Sequence, residues 1–448
     1  MLDFYPSYTH CVNKFKRISG QHTGITESQL LFCNRRPYTP DLYVCANQMP
    51  SYEKLLISDK ASISYHLSGY GIYREEAMIR VYGESIERYA LLATPSMLCD
   101  KVIYKSYNDL KKEYPDEVIE WENIKVFSDE DYKKLEPITR IRDISKDSIV
   151  GWLKCDSIFD SNKGYYLPVQ ALFVGYKPNE ELNESMFIPG FSKGAACHIS
   201  YHKALINAIM ESVEADAFMI NWYTNHKAKE IVIDDLSLLK IANKIIGKTN
   251  YSIKVLDFSI DGMPGYVVGV ILQNKLKKEP YIIMGCSASL NPKEAVYRAL
   301  TEAATIDYLA ANGPMMRPKD YLCAHEDRNF LDLDSNVSYW ASVENCEERE
   351  RLIENLYSGK KVLSSYKNLV TGDDEADLRY IISKMKRKLK YGIYMDITPI
   401  EAEHEGVKVM RVFFPELVQL SFPGYPYKNH KRLLQNGGVI NVLPHPLP

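Results

Sequence analysis

The sequence lacks the patterns that mark several common classes of protein. None of its 9 cysteines forms a C-x-x-C pair, and their odd number and scatter indicate neither a zinc ribbon nor a disulfide framework. No run of about 18 apolar residues is present, so no membrane span is expected. The N-terminus has no leading basic residues and no apolar core, so no signal peptide is expected. These absences favour a cytoplasmic protein.

The chain also has no excess of one charge. Its formal net charge is -3 at pH 7, with 25% charged and 46% hydrophobic residues, as in ordinary globular proteins. Because basic residues are not in excess, no nucleic-acid partner is expected. Neither a Walker A loop nor a Rossmann fingerprint is present. A bound nucleotide would therefore need another kind of site.

The composition changes along the chain suggest a simple division. Residues 1–60 form an N-terminal segment with turn signals, and 61–448 form one larger domain. Within that domain, 101–150 is rich in Lys, Glu and Asp, and it is interpreted as a solvated insertion. Residues 440–448 form a Pro-rich C-terminal tail.

Hydrophobic patterning predicts individual elements of the larger domain. A strand is expected at 62–67, and apolar, β-branched runs predict further strands at 167–174, 266–273 and 408–417. Residues 346–391 have helical periodicity with many charges. Mixed strands and helices of this kind indicate an α+β fold.

Three segments, 77–90, 204–217 and 295–308, repeat one pattern. Each begins with Ala, has a polar or cationic residue three positions on, and has a glutamate four positions further. Two of them carry a second glutamate after three more residues, where the third carries threonine. The repeated residues are Arg80, Glu84 and Glu87; Asn207, Glu211 and Glu214; and Arg298, Glu302 and Thr305.

The spacing places each set on one face of a helix. The remaining positions are largely apolar, so the helices are expected to be buried together with their carboxylates. Buried carboxylates need cations, and Mg²⁺ prefers carboxylate oxygens and shares its shell with phosphates. The plain alternative is that Glu84 and Glu87 form ion pairs with Arg80 and Arg88. Gly83, in mid-helix, is expected to allow close approach of another backbone.

Each repeated helix follows a glycine-containing segment, at 68–71, 192–196 and 285–287. Because glycine lets a backbone approach a ligand closely, these segments are expected to be loops beside a bound group.

The chain resembles the YcaO family at these motifs. GESIERY at 83–89 is similar to its first motif, 192–217 to its second, and 291–304 to its third. GIYMDIT at 392–398 and VMRVFFPEL at 409–417 are similar to its closing strands. The resemblance covers roughly residues 60–448.

The resemblance implies a YcaO-type α+β fold, in which sheets and three related glutamate-bearing helices surround an ATP/Mg²⁺ site. It implies metal ligands and nucleotide-binding residues at matching positions. The implied metal ligands are Glu84, Glu87, Glu211, Glu214 and Glu302. The implied nucleotide-binding residues are Ser192, Asn207, Arg80, Arg298 and Glu302. The chain departs from the family pattern at Arg80, Ala215, Thr305 and Glu416.

The tail sharpens this resemblance. Pro444, Pro446 and Pro448 form a P-x-P-x-P motif. Azoline-forming members of the family have the same motif, and in them it reaches the active site. The alternative is that these residues are a frayed chain end. Within the family, the chain resembles the streptolysin S-type cyclodehydratase component. It implies ATP-dependent conversion of Cys, Ser or Thr in a ribosomally made precursor peptide, of bacteriocin or cytolysin type, to thiazolines or oxazolines. The carboxylate of Pro448 and the ring of His445 are the candidate bases.

Two other activities remain open: a non-catalytic docking scaffold of the same complex, and an amide-thiolating or macroamidine-forming enzyme. No leader-binding module is identified in the sequence. A separate leader-binding partner, an E1-like protein with a precursor-recognition (RRE) element, is therefore expected, besides the precursor peptide. A flavin-dependent dehydrogenase could follow in the pathway, and a homodimer is left open.

Overall fold

The computed structural model describes residues 6–20, 24–26, 28–33, 38–56, 67–316 and 329–447. A first sheet consists of β1 (Ser28–Cys33), β2 (Tyr43–Gln48) and β3 (Ser68–Gly71). It is antiparallel in the order β1-β2-β3. The predicted strand at 62–67 lies outside the described residues except for its last position.

Two larger sheets contain the other described strands. The second consists of β4 (Ile103–Ser106), β5 (Ile149–Ser157), β6 (Gly164–Pro168), β7 (Ala195–His198), β13 (Ile393–Asp396) and β14 (Lys408–Phe413). Its order is β4-β5-β13-β14-β7, with β6 also paired to β5. The third consists of β8 (Ala228–Val232), β9 (Tyr251–Asp257), β10 (Tyr266–Asn274), β11 (Ile282–Ser289) and β12 (Tyr357–Val362). Its order is β11-β10-β9-β8-β12, and β12 runs parallel to β8.

Three long helices contain the repeated segments, as predicted. The described helices are α1 (Pro6–Arg17), α2 (Tyr52–Leu56), α3 (Arg74–Met97), α4 (Tyr107–Glu113), α5 (Asp129–Leu135), α6 (Val169–Leu172), α7 (Tyr201–Tyr223), α8 (Leu236–Ile246), α9 (Pro292–Met316), α10 (Ser335–Ala341), α11 (Cys346–Asn355), α12 (Asp374–Lys386), α13 (Ile400–His404) and α14 (Lys431–Gln435). The repeats lie in α3, α7 and α9. None of the described helices is long and apolar enough to cross a membrane.

Each glutamate-bearing helix follows a strand at the edge of a different sheet. β3 precedes α3, β7 precedes α7 and β11 precedes α9, and each of these strands ends its sheet's strand order. Side chains of neighbouring residues cap the N-terminal ends of the last two of these helices, α7 and α9. The side chain of Ser200 accepts a hydrogen bond from the N–H of Lys203, and Asn291 accepts one from Lys293 with Pro292 at the first helical position.

Glycines in the strands before these helices allow the strand and the helix to pack closely against each other. A Cβ on Gly69 would lie 2.0 Å from the carbonyl oxygen of Ala77, and one on Gly285 would lie 2.4 Å from the nitrogen of Ala303. Both glycines belong to strands, so the expectation of ligand-facing loops is wrong for them. The expectation for Gly83 is also wrong, because a Cβ there would meet nothing within 4 Å.

Residues 101–150 belong to the core of the molecule, so the expectation of a solvated stretch is wrong. β4 pairs with β5, and the side chains of Tyr107, Trp121 and Phe127 are buried in the main hydrophobic cluster. The charged residues misled the prediction because they alternate with apolar residues that face inward.

The other patterned segments form partly as predicted. The strands expected at 266–273 and 408–417 are present as β10 and β14. The strand expected at 167–174 ends at Pro168, and α6 follows it. In 346–391, β12 separates α11 from α12, so the helical pattern is interrupted. Periodicity alone does not distinguish short apolar strands from short helices.

Candidate ATP and magnesium site

The repeated units place the first glutamate of each long helix against the backbone of the preceding strand. In the first two units, a backbone N–H in or next to the edge strand donates to this glutamate: Ser68 N to Glu84 Oε2 (3.0 Å) and Gly194 N to Glu211 Oε2 (3.2 Å). In the third unit, burial raises the pKa of Glu302, and the backbone of Cys286 beside this carboxylate partly offsets the effect. Each carboxylate is therefore oriented by its own strand–helix unit.

Glu214 connects two of these units. Its Oε2 accepts from the N–H of Ala288 in β11 at 3.1 Å, although Glu214 lies on α7. Its Oε1 lies 2.7 Å from Nζ of Lys193. Because Glu211 and Glu302 also act electrostatically on Lys193, the second and third units share one charge cluster.

The first unit is joined to this cluster through Arg88. The guanidinium of Arg88 pairs with Glu87, and it lies 3.1 Å from Glu84. Both Glu211 and Glu84 act on the carboxyl of Glu87, as does the buried guanidinium of Arg411. All five predicted carboxylates thus lie in one electrostatic network, despite their wide separation in sequence.

Burial controls the protonation of this network. Desolvation raises the pKa values of Glu87 and Glu211, and it raises the pKa of Glu302 to about 8. Desolvation alone would lower the pKa of Lys193, but Glu214, Glu211 and Glu302 outweigh it and raise that pKa. The site therefore disfavours its full negative charge when no further cation is present.

Solvent nevertheless reaches the carboxylates. The side-chain exposures of Glu84, Glu87 and Glu214 are 25%, 12% and 8%. A ligand that approaches these exposed carboxylate atoms from solvent can contact the glutamates without unfolding the helices.

The donor set suits Mg²⁺ bound together with a polyanion. Carboxylate oxygens are the ligands that Mg²⁺ prefers, and its usual sites combine one or two of them with substrate phosphates. In the described part of the chain, no three His, Cys, Asp or Glu side chains already form a metal cage. Lys193 and Arg88 instead occupy carboxylate oxygens, so metal binding requires those cations to move.

The predicted nucleotide-binding residues differ in their contacts and in their exposure to solvent. Arg80 lies 2.7 Å from Glu76 and 4.9 Å from the ring centre of Tyr70. Arg298 pairs with Glu294 on its own helix at 3.2 Å and is 40% exposed. Both guanidiniums are thus paired on their own helices, one turn before Glu84 and Glu302, and are partly accessible.

Asn207 and Ser192 lie on the second unit. Asn207 is partly exposed on α7, one turn before Glu211. Ser192 begins the segment that leads to Gly194, whose φ is +90°, a conformation that favours glycine. The carbonyl oxygens of Ser192 and Lys193 accept hydrogen bonds from Arg411.

Sequence reasoning missed Lys193 and Arg411. It considered Arg88 only as an ion-pair partner of Glu84 and Glu87, and both of those pairs are present. Arg411 was the most accessible to prediction, because it is the one cation in the apolar run 409–414. It is 2% exposed, and desolvation lowers its pKa to about 10. A buried guanidinium in such a run indicates a buried anion nearby.

Asp216 was missed as well. It is buried on α7 and forms a bidentate pair with Arg432 of α14, with distances of 2.7 and 2.6 Å. It also accepts from the N–H of Val418. This pair ties the C-terminal part of the chain to the helix that carries Glu211 and Glu214.

Two departures from the family pattern have local explanations. The carboxylate of Glu416 accepts from the N–H groups of Lys390 and Tyr391, just before β13. The hydroxyl of Thr305 donates to the carbonyl oxygen of Thr301 within α9. Both side chains therefore stabilise the scaffold rather than face a ligand.

The segment 441–447 is docked, so the alternative of a frayed end is wrong. His445 is fully buried; its ring packs against Phe218 with centres 5.9 Å apart, and Nε2 lies 3.1 Å from the carbonyl oxygen of Ser421. Burial lowers the pKa of His445 to about 4. A ring held in this way is a weak base, which disfavours His445 as the catalytic base. Pro448, the other candidate, lies outside the described residues.

Comparison with known structures supports the same fold. A chain described as a heterocyclase in complex with substrate and cofactor superposes with a TM-score of 0.73 at 18% identity, covering 98% of this chain and 57% of that one. YcaO from Methanopyrus kandleri, bound with AMPPCP and Mg²⁺, gives 0.64 at 15% identity, covering 93% and 92%. The E. coli microcin synthetase McbBCD complex with pro-MccB17 gives 0.55 at 13% identity, covering 89% and 90%. This chain therefore spans little more than half of the heterocyclase.

A family model assigns the chain directly. It matches residues 68–418, a range that contains all three glutamate-bearing helices. The model describes YcaO cyclodehydratases that bind ATP and Mg²⁺. The chain belongs to the YcaO cyclodehydratase family.

Proposed function

We propose that this chain is the azoline-forming subunit of a peptide cyclodehydratase. It uses ATP to close Cys, Ser or Thr side chains of a precursor peptide into thiazoline or oxazoline rings. The observation that carries the proposal is the network of five glutamates beside a docked Pro-rich segment. The network supports a Mg²⁺–nucleotide site, and the segment supports the azoline-forming class within the family.

The reaction consumes one ATP for each ring. A side-chain thiol or hydroxyl attacks the carbonyl carbon of the preceding amide, and the attacking group loses its proton. The oxyanion takes the γ-phosphoryl group of ATP, and ADP leaves. The amide nitrogen then loses its proton and forms a C=N bond as phosphate departs. The net change in the peptide is the loss of one water.

The residues of this chain position the reactants. Glu84, Glu87, Glu211, Glu214 and Glu302 are proposed to hold Mg²⁺, which neutralises charge on the transferring phosphoryl group when it is bound. Arg80 and Arg298 lie one turn before Glu84 and Glu302, and guanidiniums bind phosphate oxygens bidentately. Asn207 and Ser192 supply polar contacts on the second unit. Positioning and charge neutralisation account for most of the catalysis in such transfers.

The docked segment is next to this site on α7. Phe218, which contacts His445, follows Glu214 by four residues, which is one helical turn and about 6 Å along the axis. This neighbourhood supports a role in the reaction for the residues that follow His445. We propose that the base lies beyond residue 447, in the segment that includes Pro448.

A docking scaffold is the second candidate. A scaffold has no need for several buried carboxylates, whose desolvation destabilises the fold. An amide-thiolating enzyme would use the same activation of an amide by ATP, but the docked segment 441–447, which contains the first two prolines of the P-x-P-x-P motif, favours ring formation. The resemblance to the streptolysin S-type component further suggests a product of the bacteriocin or cytolysin type.

Partner proteins complete the proposal. The E. coli synthetase similar to this chain is described as a complex with its precursor bound. We propose that this chain likewise acts with a leader-binding protein that carries an RRE. A flavin-dependent dehydrogenase can then oxidise azolines to azoles. A homodimer remains a further proposal.

The test is phosphate release in the presence of partner protein and precursor peptide. Glu211→Gln keeps the size of the side chain and an acceptor for Gly194 N but removes a charge from the metal site. We expect it to abolish ATP turnover while the circular dichroism spectrum stays unchanged. Glu348→Gln, an exposed glutamate on α11, is the control and should turn over ATP normally. Normal turnover by Glu211→Gln would eliminate the proposed metal role.

A further inference from the structure

The segment 441–447 is held by side-chain N–H groups that bind its backbone carbonyls in succession. The indole of Trp222 donates to Leu443 O at 3.4 Å, and the indole of Trp340 donates to Pro444 O at 2.8 Å. The amide of Asn336 donates to the carbonyl oxygens of His445 and Leu447 at 2.5 and 2.8 Å. Three side chains therefore bind four carbonyl groups along one stretch of chain.

The donors match the chemistry of a Pro-rich segment. Proline has no N–H, and a polyproline II helix makes no internal hydrogen bonds, so its carbonyls are free to accept from other groups. Aromatic grooves with indole N–H donors are a recurring way to bind such peptides. Here the rings of Trp222 and Trp340 meet edge to face at 5.2 Å and form one wall of the groove.

The groove is built from elements outside the segment. Trp222 lies on α7, which is buried along most of its length, and Asn336 and Trp340 lie on α10. Trp222, Trp340 and Asn336 are each 1% exposed or less. Leu443 and Leu447, 4% and 3% exposed, add apolar anchors on the side of the segment.

We propose that Trp222, Trp340 and Asn336 form a peptide-binding site for the Pro-rich segment 441–447, and that they act as positioning residues for the residues that follow it. Binding by this site does not depend on the proposed function; only its effect on ring formation does. The site recognises the row of carbonyls and two leucines, so it should also bind the same segment supplied as a free peptide.

The test uses the full chain and a fluorescein-labelled peptide that spans residues 439–448. In wild type the attached segment fills the groove, so fluorescence anisotropy should show no binding. A double variant, Leu443→Ser with Leu447→Ser, releases the attached segment, because each leucine loses most of its apolar contact. The free peptide should then bind saturably, and a scrambled peptide should not.

Adding Trp340→Phe to the double variant removes one indole N–H and keeps most of the ring. We expect peptide affinity to fall about three- to tenfold, the usual effect of one hydrogen bond. Trp152→Phe is the matched control, because Trp152 is equally buried and its indole donates at 3.0 Å to Lys105 O rather than to the segment. That variant should bind the peptide unchanged. Equal effects of the two substitutions, or no binding by the double variant, would overturn the proposal.

Two further measurements keep the outcomes separate. In the otherwise wild-type chain, Trp340→Phe should speed hydrogen exchange across 441–447 and Trp152→Phe should not; unchanged exchange with Trp340→Phe contradicts the proposal even if the double variant does not fold. The free peptide should also restore ring formation to the double variant. Binding without restored ring formation would leave the site in place and count against the proposed function of the segment.

Discussion

Replacing Glu302 by glutamine should have opposite effects on the free protein and on ligand binding. Burial raises the pKa of this carboxyl from 4.5 to about 8, so the folded protein holds its proton more tightly than the unfolded chain does. The contribution of Glu302 to stability is therefore most favourable below pH 4.5. It declines as pH rises through that value and levels off above about pH 8. Glutamine has no such proton to lose.

The pKa shift of Glu302 sets the size of the expected stability gain. Between pH 4.5 and pH 7, each pH unit is equivalent to about 1.4 kcal/mol, which gives an upper bound of about 3.5 kcal/mol. Because solvent reaches this side chain and Lys193 stabilises its charge, we expect a gain of about 1–3 kcal/mol at pH 7 for Glu302→Gln. At pH 5 the gain should fall below about 1 kcal/mol, since wild-type Glu302 is then protonated in the fold.

Urea unfolding of the ligand-free proteins at both pH values measures this gain. The same titrations with Mg²⁺ and AMPPCP test the other half of the prediction. Wild type should gain about 2.7 kcal/mol when the ligand is 100-fold above its dissociation constant, whereas the variant should gain much less because it lacks one ligand charge. A variant that is no more stable without ligand, or equally stabilised with it, would refute the electrostatic account. Glu348→Gln should change neither quantity.

Three further substitutions test the packing around the site. Gly69→Ala should destabilise the protein by several kcal/mol, because its Cβ would lie 2.0 Å from Ala77 O, whereas Gly83→Ala, in open space, should stabilise it by about 1 kcal/mol. Shifts of the urea midpoint in the same direction for both variants, relative to wild type, would contradict this. Asp216→Asn should cost about 3–5 kcal/mol, because it leaves the guanidinium of Arg432 without its bidentate partner. A loss below 1 kcal/mol in urea unfolding would show that the pair adds little.

Sequence patterns predicted the glutamate helices well because the signal is local. The spacing of Glu211 and Glu214 fixes one helix face, and the apolar positions between them require burial. The same logic failed for Lys193, because its partner lies 21 positions away in sequence and the contact depends on how the chain turns at Gly194. Side-chain chemistry alone could not show that a lysine next to a glycine would be placed among carboxylates.

Contacts with residues distant in sequence explain the elements that were predicted incorrectly. The run that begins at Leu167 is apolar enough for a strand, but Pro168 ends the ladder with β5 and the following residues form α6. Residues 101–150 appeared solvated because their charges are numerous, although Trp121 and neighbouring apolar side chains complete the core. Both errors arise where local composition is weaker than packing against distant residues.

The mass of a precursor peptide tests the central claim most directly. The peptide is incubated with this chain, its leader-binding partner, ATP and Mg²⁺, and the intact mass and released phosphate are measured together. The account predicts the loss of one water for each phosphate released, and no loss with Glu211→Gln. A mass gain from replacement of oxygen by sulfur would identify an amide-thiolating enzyme instead. An unchanged peptide mass, with or without ATP hydrolysis, would contradict azoline formation.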